Sequence, residues 1–136
     1  MEVKRSTALI GFYGDNLDPD EITNAFGIEP SVGVCKGGEW RTSMGAVKIA
    51  RTGSWRLECD GSEPDDLSGQ LRSLLARMPD DLEVWQAFAG RYRAVAFCGV
   101  WLQSYNDGLE LASDVLSALG ARRLSIDLDI YGPDHD

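Results

Sequence analysis

The side chains that most often carry hydrolytic or metal chemistry are scarce in this sequence, which has one histidine and three cysteines among 136 residues. His135 stands next to the last residue, where chains are commonly mobile. Ser-His-Asp and Cys-His catalysis and histidine-based zinc sites need an imidazole held in fixed geometry. The sequence also has no G-x-x-x-x-G-K-[ST] phosphate loop and no G-x-G-x-x-G turn. We therefore assign no catalytic residue, no metal and no cofactor, and we expect a protein without enzymatic activity.

Carboxylates are the remaining candidates for catalysis. Asp127 and Asp129 alternate along the last predicted strand, so they point to one face, where they could meet another carboxylate as an acid-base pair. A solvated strand face explains the same spacing. The acidic residues from Asp15 to Glu21 do not follow the calcium-loop pattern, because Leu17 and Pro19 occupy its third and fifth positions.

Tryptophan and arginine occur together at Trp40-Arg41 and at Trp55-Arg56, with Arg51 between these pairs. These two residue types combine a large contact area with directed hydrogen bonds, which suits a binding surface. We expect Trp55 to lie in the core and Trp40 on the surface. The candidate binding residues are Trp40, Arg41, Arg51, Arg56, Asp127 and Asp129.

The net charge of −9 comes from 13 basic and 22 acidic residues. Residues 1–56 hold seven of each, so the whole excess lies in the later part of the chain, at Glu58–Asp66, Asp80–Glu83 and Asp127–Asp136. If these groups share one surface they would steer a basic protein partner; helix N-terminal charge and solubility are the alternative explanation. The acidity argues against sequence-independent nucleic-acid binding.

The cellular location is predicted from two further features. Cys35, Cys59 and Cys98 lie far apart and form no C-x-x-C pair, which is typical of reduced thiols rather than of a disulfide framework. The first residues contain no apolar stretch of signal-peptide length, and no segment approaches the roughly 20 apolar residues of a membrane span. We expect a cytoplasmic protein that does not enter the membrane.

Local signals predict four helices. The first begins after Asp18-Pro19, with Asp18 as N-cap, Glu21 closing a capping box and Gly27 ending the helix. The second runs from Leu67 to Met78 and stops at Pro79. A third begins at Asp80 or Asp81 and ends at Gly90. The fourth is capped by Ser113 or Asp114 and closed by Gly120.

Alternation and β-branched content predict the strands. They are Val3–Tyr13, two or three strands within Val32–Cys59 with a turn at Thr42–Gly45, Tyr92–Leu102, and Leu124–Tyr131. The strand Tyr92–Leu102 is apolar on both faces, which predicts cover on both sides. In the last strand we expect the aspartates to face water and the aliphatic residues to face the core. The order favours an α+β class with a single mostly antiparallel sheet, helices packed on one face, and a ferredoxin-like plan in part, within one domain over 1–136.

Six short segments resemble a bacterial family catalogued as domain of unknown function 4279. They are Gly14–Thr23, Phe26–Pro30, Thr52–Trp55, the helix Leu67–Leu75, Gly108–Leu111 and Ile126–Tyr131. Since that family is uncharacterised, the resemblance supports the one-domain prediction and transfers no functional residue.

The sequence thus predicts a non-enzymatic protein-interaction domain, and in its specific form an acidic immunity-type protein that binds a basic toxin. The alternative is a small-ligand sensor or enzyme with a pocket near Trp40 and Arg41. A homodimer formed through an exposed strand edge is a third option.

Overall fold

The computed structural model describes residues 3–60 and 66–133 of the chain. The acidic stretch 61–65 and the tail with His135 therefore lie outside the described residues. Eleven elements follow one another in these ranges: β1 (Arg5–Gly14), α1 (Pro19–Phe26), β2 (Val32–Val34), β3 (Glu39–Arg41), β4 (Val47–Ile49), β5 (Gly53–Glu58), α2 (Leu67–Ala76), α3 (Leu82–Arg91), β6 (Arg93–Trp101), α4 (Ser113–Ala121) and β7 (Ser125–Tyr131).

The main sheet has the strand order β2-β5-β1-β6-β7. The first four strands in this order pair antiparallel, and β7 adds to β6 in parallel. The four strands β1, β2, β5 and β6, with the helices between them, follow the β-α-β-β-α-β plan of a ferredoxin-like fold in chain order and in strand order. The β3–β4 hairpin is inserted before β5, and α4 with β7 extends the sheet. The predicted α+β class is confirmed.

One face of the sheet carries the core. Ala8, Ile10 and Phe12 alternate along β1 and are buried, together with side chains from all four helices. The Phe12 ring lies 5.9 Å from the rings of Phe26 and Trp85. Because these residues share one parity along the strands, the helices pack on that face, as predicted.

Three buried polar side chains on this face, those of Trp55, Ser6 and Gln70, are paired. Trp55 is fully buried, which agrees with its predicted place in the core, and its Nε1 donates a hydrogen bond to Thr23 Oγ1 at 3.0 Å. Ser6 Oγ donates to Gln70 Oε1 at 3.0 Å, and Gln70 Nε2 donates back to the Ser6 carbonyl at 2.9 Å. A satisfied buried pair of this kind fixes α2 against β1.

Both ends of α1 and the start of α3 follow the local signals, whereas α3 runs past the predicted end at Gly90 to Arg91. Asp18 accepts from the Asp20 amide at 3.0 Å, Gly27 takes a left-handed φ of 69°, and Asp81 accepts from the Glu83 amide at 3.1 Å. The capping-box prediction is wrong, because both carboxylate oxygens of Glu21 bind Arg91 of α3.

The predicted limits of α4 are also wrong. Its N-cap is Ala112, and the helix runs past Gly120 to Ala121. The Asp114 carboxylate instead accepts two hydrogen bonds of 2.8 Å from Arg72 of α2. A long-range ion pair has replaced the local cap.

The structure corrects two predictions: that the strand Tyr92–Leu102 is covered on both faces, and that the aliphatic side chains of the last strand pack into the core. Phe97 of β6 is 36% exposed, because its face of the sheet carries no helix within the described ranges. On the other face, Leu128 and Ile130 are 38% and 56% exposed rather than buried. Since β7 is the outermost strand, α4 packs against it without covering these two side chains.

None of the helices in the described part of the chain has the length and apolar character that a membrane crossing requires. The three cysteines are free thiols: Cys35 is exposed, Cys59 is half-buried and Cys98 is buried.

Candidate functional site

The face of the sheet opposite the helices, which we call the open face, carries the side chains of one parity from β1, β5, β6 and β7. The register brings Glu58, Leu9, Phe97 and Asp127 into one row across these four strands. In this row Leu9 and Phe97 lie between the acidic side chains Glu58 and Asp127. The open face therefore combines apolar surface with charged groups of both signs, because Arg5, Arg56 and Arg93 share its parity.

An aromatic stack lies at one end of the open face. The Trp101 and Tyr131 rings are stacked, with centres 4.9 Å apart and planes inclined by 14°, and the Arg5 guanidinium lies 4.7 Å from the Trp101 ring centre. Gly99 makes room for this arrangement, since a Cβ atom there would come within 2.8 Å of the Trp101 ring. Aromatic and arginine side chains at such positions are the types that dominate protein interfaces.

The predicted pair Asp127 and Asp129 lies on the open face, each carboxylate with its own partner. Asp127 accepts from Arg93 at 3.2 Å, and Asp129 accepts from the Tyr131 hydroxyl at 2.6 Å. This hydrogen bond and the negative charge of Asp129 raise the pKa of Tyr131. Both carboxylates are thus bound to donors, which is an arrangement for charge and hydrogen bonding at a surface.

The acidic groups within residues 3–60 and 66–133 do not gather on one surface. Glu58, Asp127 and Asp129 lie on the open face, whereas Asp80, Asp81 and Glu83 surround the start of α3 on the helix side of the sheet. These groups therefore do not form the single acidic surface on which steering of a basic partner would depend.

A second feature of the open face is a cleft of about 510 Å³ beside the β3–β4 hairpin. Its lining comes from Tyr13 of β1, Trp40 of β3, residues 48–52, and Ser54 and Arg56 of β5. Tyr13, Ser54 and Arg56 form its floor, because β1 and β5 pair with Tyr13 opposite Ser54 and Gly11 opposite Arg56. The hairpin forms the wall.

The hairpin is held by its turn and by its base. The Gly45 amide donates to the Thr42 carbonyl at 2.9 Å and Gly45 has a φ of 85°, which confirms the predicted turn. At the base, the Gly37 amide donates to the Ala50 carbonyl at 2.8 Å. Lys36 forms an ion pair of 3.1 Å with Asp15, and hydrogen bonds from Lys36 and Thr52 lower the pKa of Asp15.

Three of the predicted binding residues meet in this cleft. Trp40, Arg51 and Arg56 all contribute to its lining, and the Arg56 guanidinium lies 4.6 Å from the Trp40 ring centre. Arg41 does not line it; its guanidinium donates to the Gly45 carbonyl within the hairpin at 3.4 Å. The predicted role of Arg41 in a pocket is not supported, because neighbouring residues of a strand point to opposite sides.

Tyr13 is a floor residue that sequence reasoning missed. Its ring lies over Gly11, where a Cβ atom would come within 2.6 Å of the Tyr13 hydroxyl oxygen. Burial raises the pKa of Tyr13, although the nearby Arg56 and Arg93 oppose the rise. The hydroxyl is therefore protonated at neutral pH and available as a donor. The signal in the sequence was Gly11, which stands two residues before Tyr13 on the face of β1 opposite to that of Phe12.

Within residues 3–60 and 66–133, no group of three or more histidine, cysteine or acidic side chains is placed to hold a metal ion. The cleft instead presents arginine, lysine and hydroxyl donors. Its chemistry is that of a binding site for acceptors.

Comparison with known proteins gives one match. The family model described as Domain of unknown function (DUF4279) matches residues 2–133. No curated protein and no solved structure matches the chain.

Proposed function

The chain belongs to the family described as Domain of unknown function (DUF4279), and we propose that it acts as a protein-interaction domain without enzymatic activity. The observation that carries this proposal is the open face of β6 and β7. There Phe97 and Tyr131 are exposed beside Trp101, Asp127 and Asp129.

The arrangement of these side chains supports an interface. Aromatic rings provide contact area with little loss of side-chain entropy, and charged groups at the rim select the partner and increase the association rate. The Trp101 ring is already held between Arg5 and Tyr131 before a partner arrives. Such preorganisation lowers the cost of binding.

The partner proposed is a basic protein in the cytoplasm, and in the specific version a toxin that this domain neutralises as an immunity-type protein. Glu58, Asp127 and Asp129 supply carboxylates for a basic partner on the open face, alongside Arg5, Arg56 and Arg93 of the same face. The sign of the partner is supported by the net charge of −9 of the whole chain. The acidic groups at the start of α3 lie on the other side and would add only to long-range attraction.

Co-purification with proteins encoded by adjacent genes tests this function. We expect a basic protein to be retained at about 50 mM salt and released near 0.5 M, because screening shortens the reach of the acidic groups. Asp127→Asn should weaken retention, whereas Glu83→Gln, which removes one charge on the helix side, should leave it nearly unchanged. Absence of any retained basic protein at low salt would count against the proposal.

The cleft beside Trp40 favours a second candidate function, the binding of a small ligand. Its volume of about 510 Å³ lies within the range of small-molecule sites, roughly 300–1,000 Å³. Nuclear magnetic resonance titration with small polar fragments tests it: binding should shift the amide signals of Tyr13, Arg51 and Ser54. Shifts confined to other regions would contradict it.

A further inference from the structure

We propose that the cleft between the β3–β4 hairpin and the open face binds a small organic anion through a carboxylate or phosphate group. This inference rests on the small-ligand function proposed above and names its ligand class. Three cationic side chains, Lys48, Arg51 and Arg56, line one cleft of about 510 Å³.

These cations have no anionic partner in the described part of the chain. The ion pairs found there engage Lys36, Arg72, Arg91, Arg93 and Arg122, and none includes a cation of the cleft lining. The chain has 22 acidic residues, yet the lining brings three cations together with none of them. Bringing like charges together raises their energy, and a bound anion relieves that repulsion.

The position of Arg56 indicates how an anion would bind in the cleft. Its Cζ atom lies over the Trp40 ring, 4.6 Å from the ring centre, and the N–H bonds of a guanidinium lie in the plane of the group. Among the described residues its buried Nε atom has no hydrogen-bond partner. A planar fork with unused donors matches the two oxygens of a carboxylate or phosphate.

Neutral donors surround the cations. Tyr13 and Ser54 bring two hydroxyl groups to the lining, the Thr52 hydroxyl donates to Asp15, and the lining contains no carboxylate. Of the nearby acids, Asp15 is held by Lys36 in an ion pair, and Glu58 lies one row along β5, where it acts on Tyr13 through its charge. The cleft therefore offers many donors to an acceptor-rich ligand.

The rest of the cleft wall is apolar and favours a ligand with an apolar part. Trp40, Ile49 and Ala50 add an apolar side to the cleft. An organic anion with one flat or apolar part fits both halves of this lining, with its charged group on the arginines and its apolar part on Trp40. A flat ring can also stack on the tryptophan.

The test uses phenyl phosphate, benzoate and neutral benzamide as probes, with binding followed by amide chemical shifts of the full chain. Benzoate and benzamide have the same shape, so their comparison isolates charge. Arg51→Gln and Arg56→Gln should each weaken binding of an anionic probe by about tenfold. Arg41→Gln is the matched control, because it removes the same charge from the adjoining hairpin, outside the lining, and it should change affinity by less than twofold.

The outcomes separate the ligand class from the function. Anion binding at Tyr13, Arg51 and Ser54 that the two lining variants weaken and Arg41→Gln spares supports the inference. Benzamide binding in the cleft as tightly as benzoate would overturn the anionic class and leave the small-ligand function standing. No shift in the cleft with any probe at about 20 mM would overturn both, since even weak fragment sites bind in the millimolar range. An equal loss in Arg41→Gln would assign the effect to overall charge and overturn the inference.

Discussion

The guanidinium of Arg56 lies over the Trp40 ring, 4.6 Å from its centre, so a residue of the main sheet contacts a residue of the inserted hairpin. This contact joins the floor of the cleft to its wall. Trp40 and Trp55 each precede an arginine in the sequence, but they lie in different environments. Trp55 is buried in the core, and Trp40 is half-exposed at the cleft.

The two tryptophans should respond differently to truncation. We expect Trp40→Leu to lower the free energy of unfolding by about 0.5–1 kcal/mol, the size of an exposed cation-π contact. Trp55→Leu removes a fully buried ring and leaves the Thr23 hydroxyl without its indole donor, so it should cost about 3 kcal/mol or more. Urea unfolding at neutral pH measures both, and equal losses would contradict the different placements of the two rings.

Two glycines provide a matched test of the fold. A Cβ atom at Gly53 would come within 2.7 Å of the Gly14 carbonyl oxygen, and backbone atoms cannot move aside as a flexible side chain can. Gly53→Ala should therefore destabilise the protein by about 1–3 kcal/mol. At Gly90 of α3 no atom lies within 4 Å of the added carbon, so Gly90→Ala should stabilise by about 0.5–1 kcal/mol. Thermal unfolding of the two variants gives the sign of each effect.

The Arg72–Asp114 pair between α2 and α4 should appear in the pH dependence of stability. Hydrogen bonding to Arg72 lowers the pKa of Asp114 in the folded protein. The pair then contributes stability above the ordinary aspartate pKa of about 3.9, and this contribution is lost as pH falls through the lowered value. Asp114→Asn and Arg72→Gln should each make the decline in stability between about pH 5 and pH 2 shallower. An unchanged decline in either variant would contradict this assignment.

The thiols should differ in reactivity. Cys35 is exposed, whereas burial raises the pKa of Cys98 to about 12, so Cys98 holds its proton and lies out of reach of reagent. We expect a chromogenic disulfide reagent to modify Cys35 rapidly in the folded protein and Cys98 only after unfolding. Cys35→Ser should abolish the fast phase, and a fast phase that persists in Cys35→Ser and disappears in Cys98→Ser would refute the burial of Cys98.

Features set by neighbouring residues were predictable. Asp18 and Gly27 at the ends of α1 and the turn at Thr42–Gly45 each depend on a few consecutive side chains. The burial of Trp55 was predictable, because side chains alternate along β5 and Trp55 therefore points to the face opposite to that of Arg56. Local chemistry fixes these elements, so a single sequence carries the information.

Features that depend on distant residues were not predictable. Alternation along β6 could not reveal that its second face carries no helix, so Phe97 was expected to be covered. Asp114 meets the local requirements of a cap, yet Arg72 of another helix takes its carboxylate. The cleft was placed near Trp40, but Tyr13 joins it only through the register of β1 with β5, which short motifs do not contain.

The open face as the binding surface is the central claim, and site-specific photo-crosslinking tests it most directly. A photoreactive phenylalanine analogue at Phe97 of the open face is compared with the same analogue at Leu82 of α3, since the two side chains are 36% and 38% exposed. We predict an adduct with a basic protein of the native host at Phe97 and none at Leu82. Adducts at Leu82 alone, equal adducts at both positions, or a Phe97 adduct only with a second copy of this chain would contradict it.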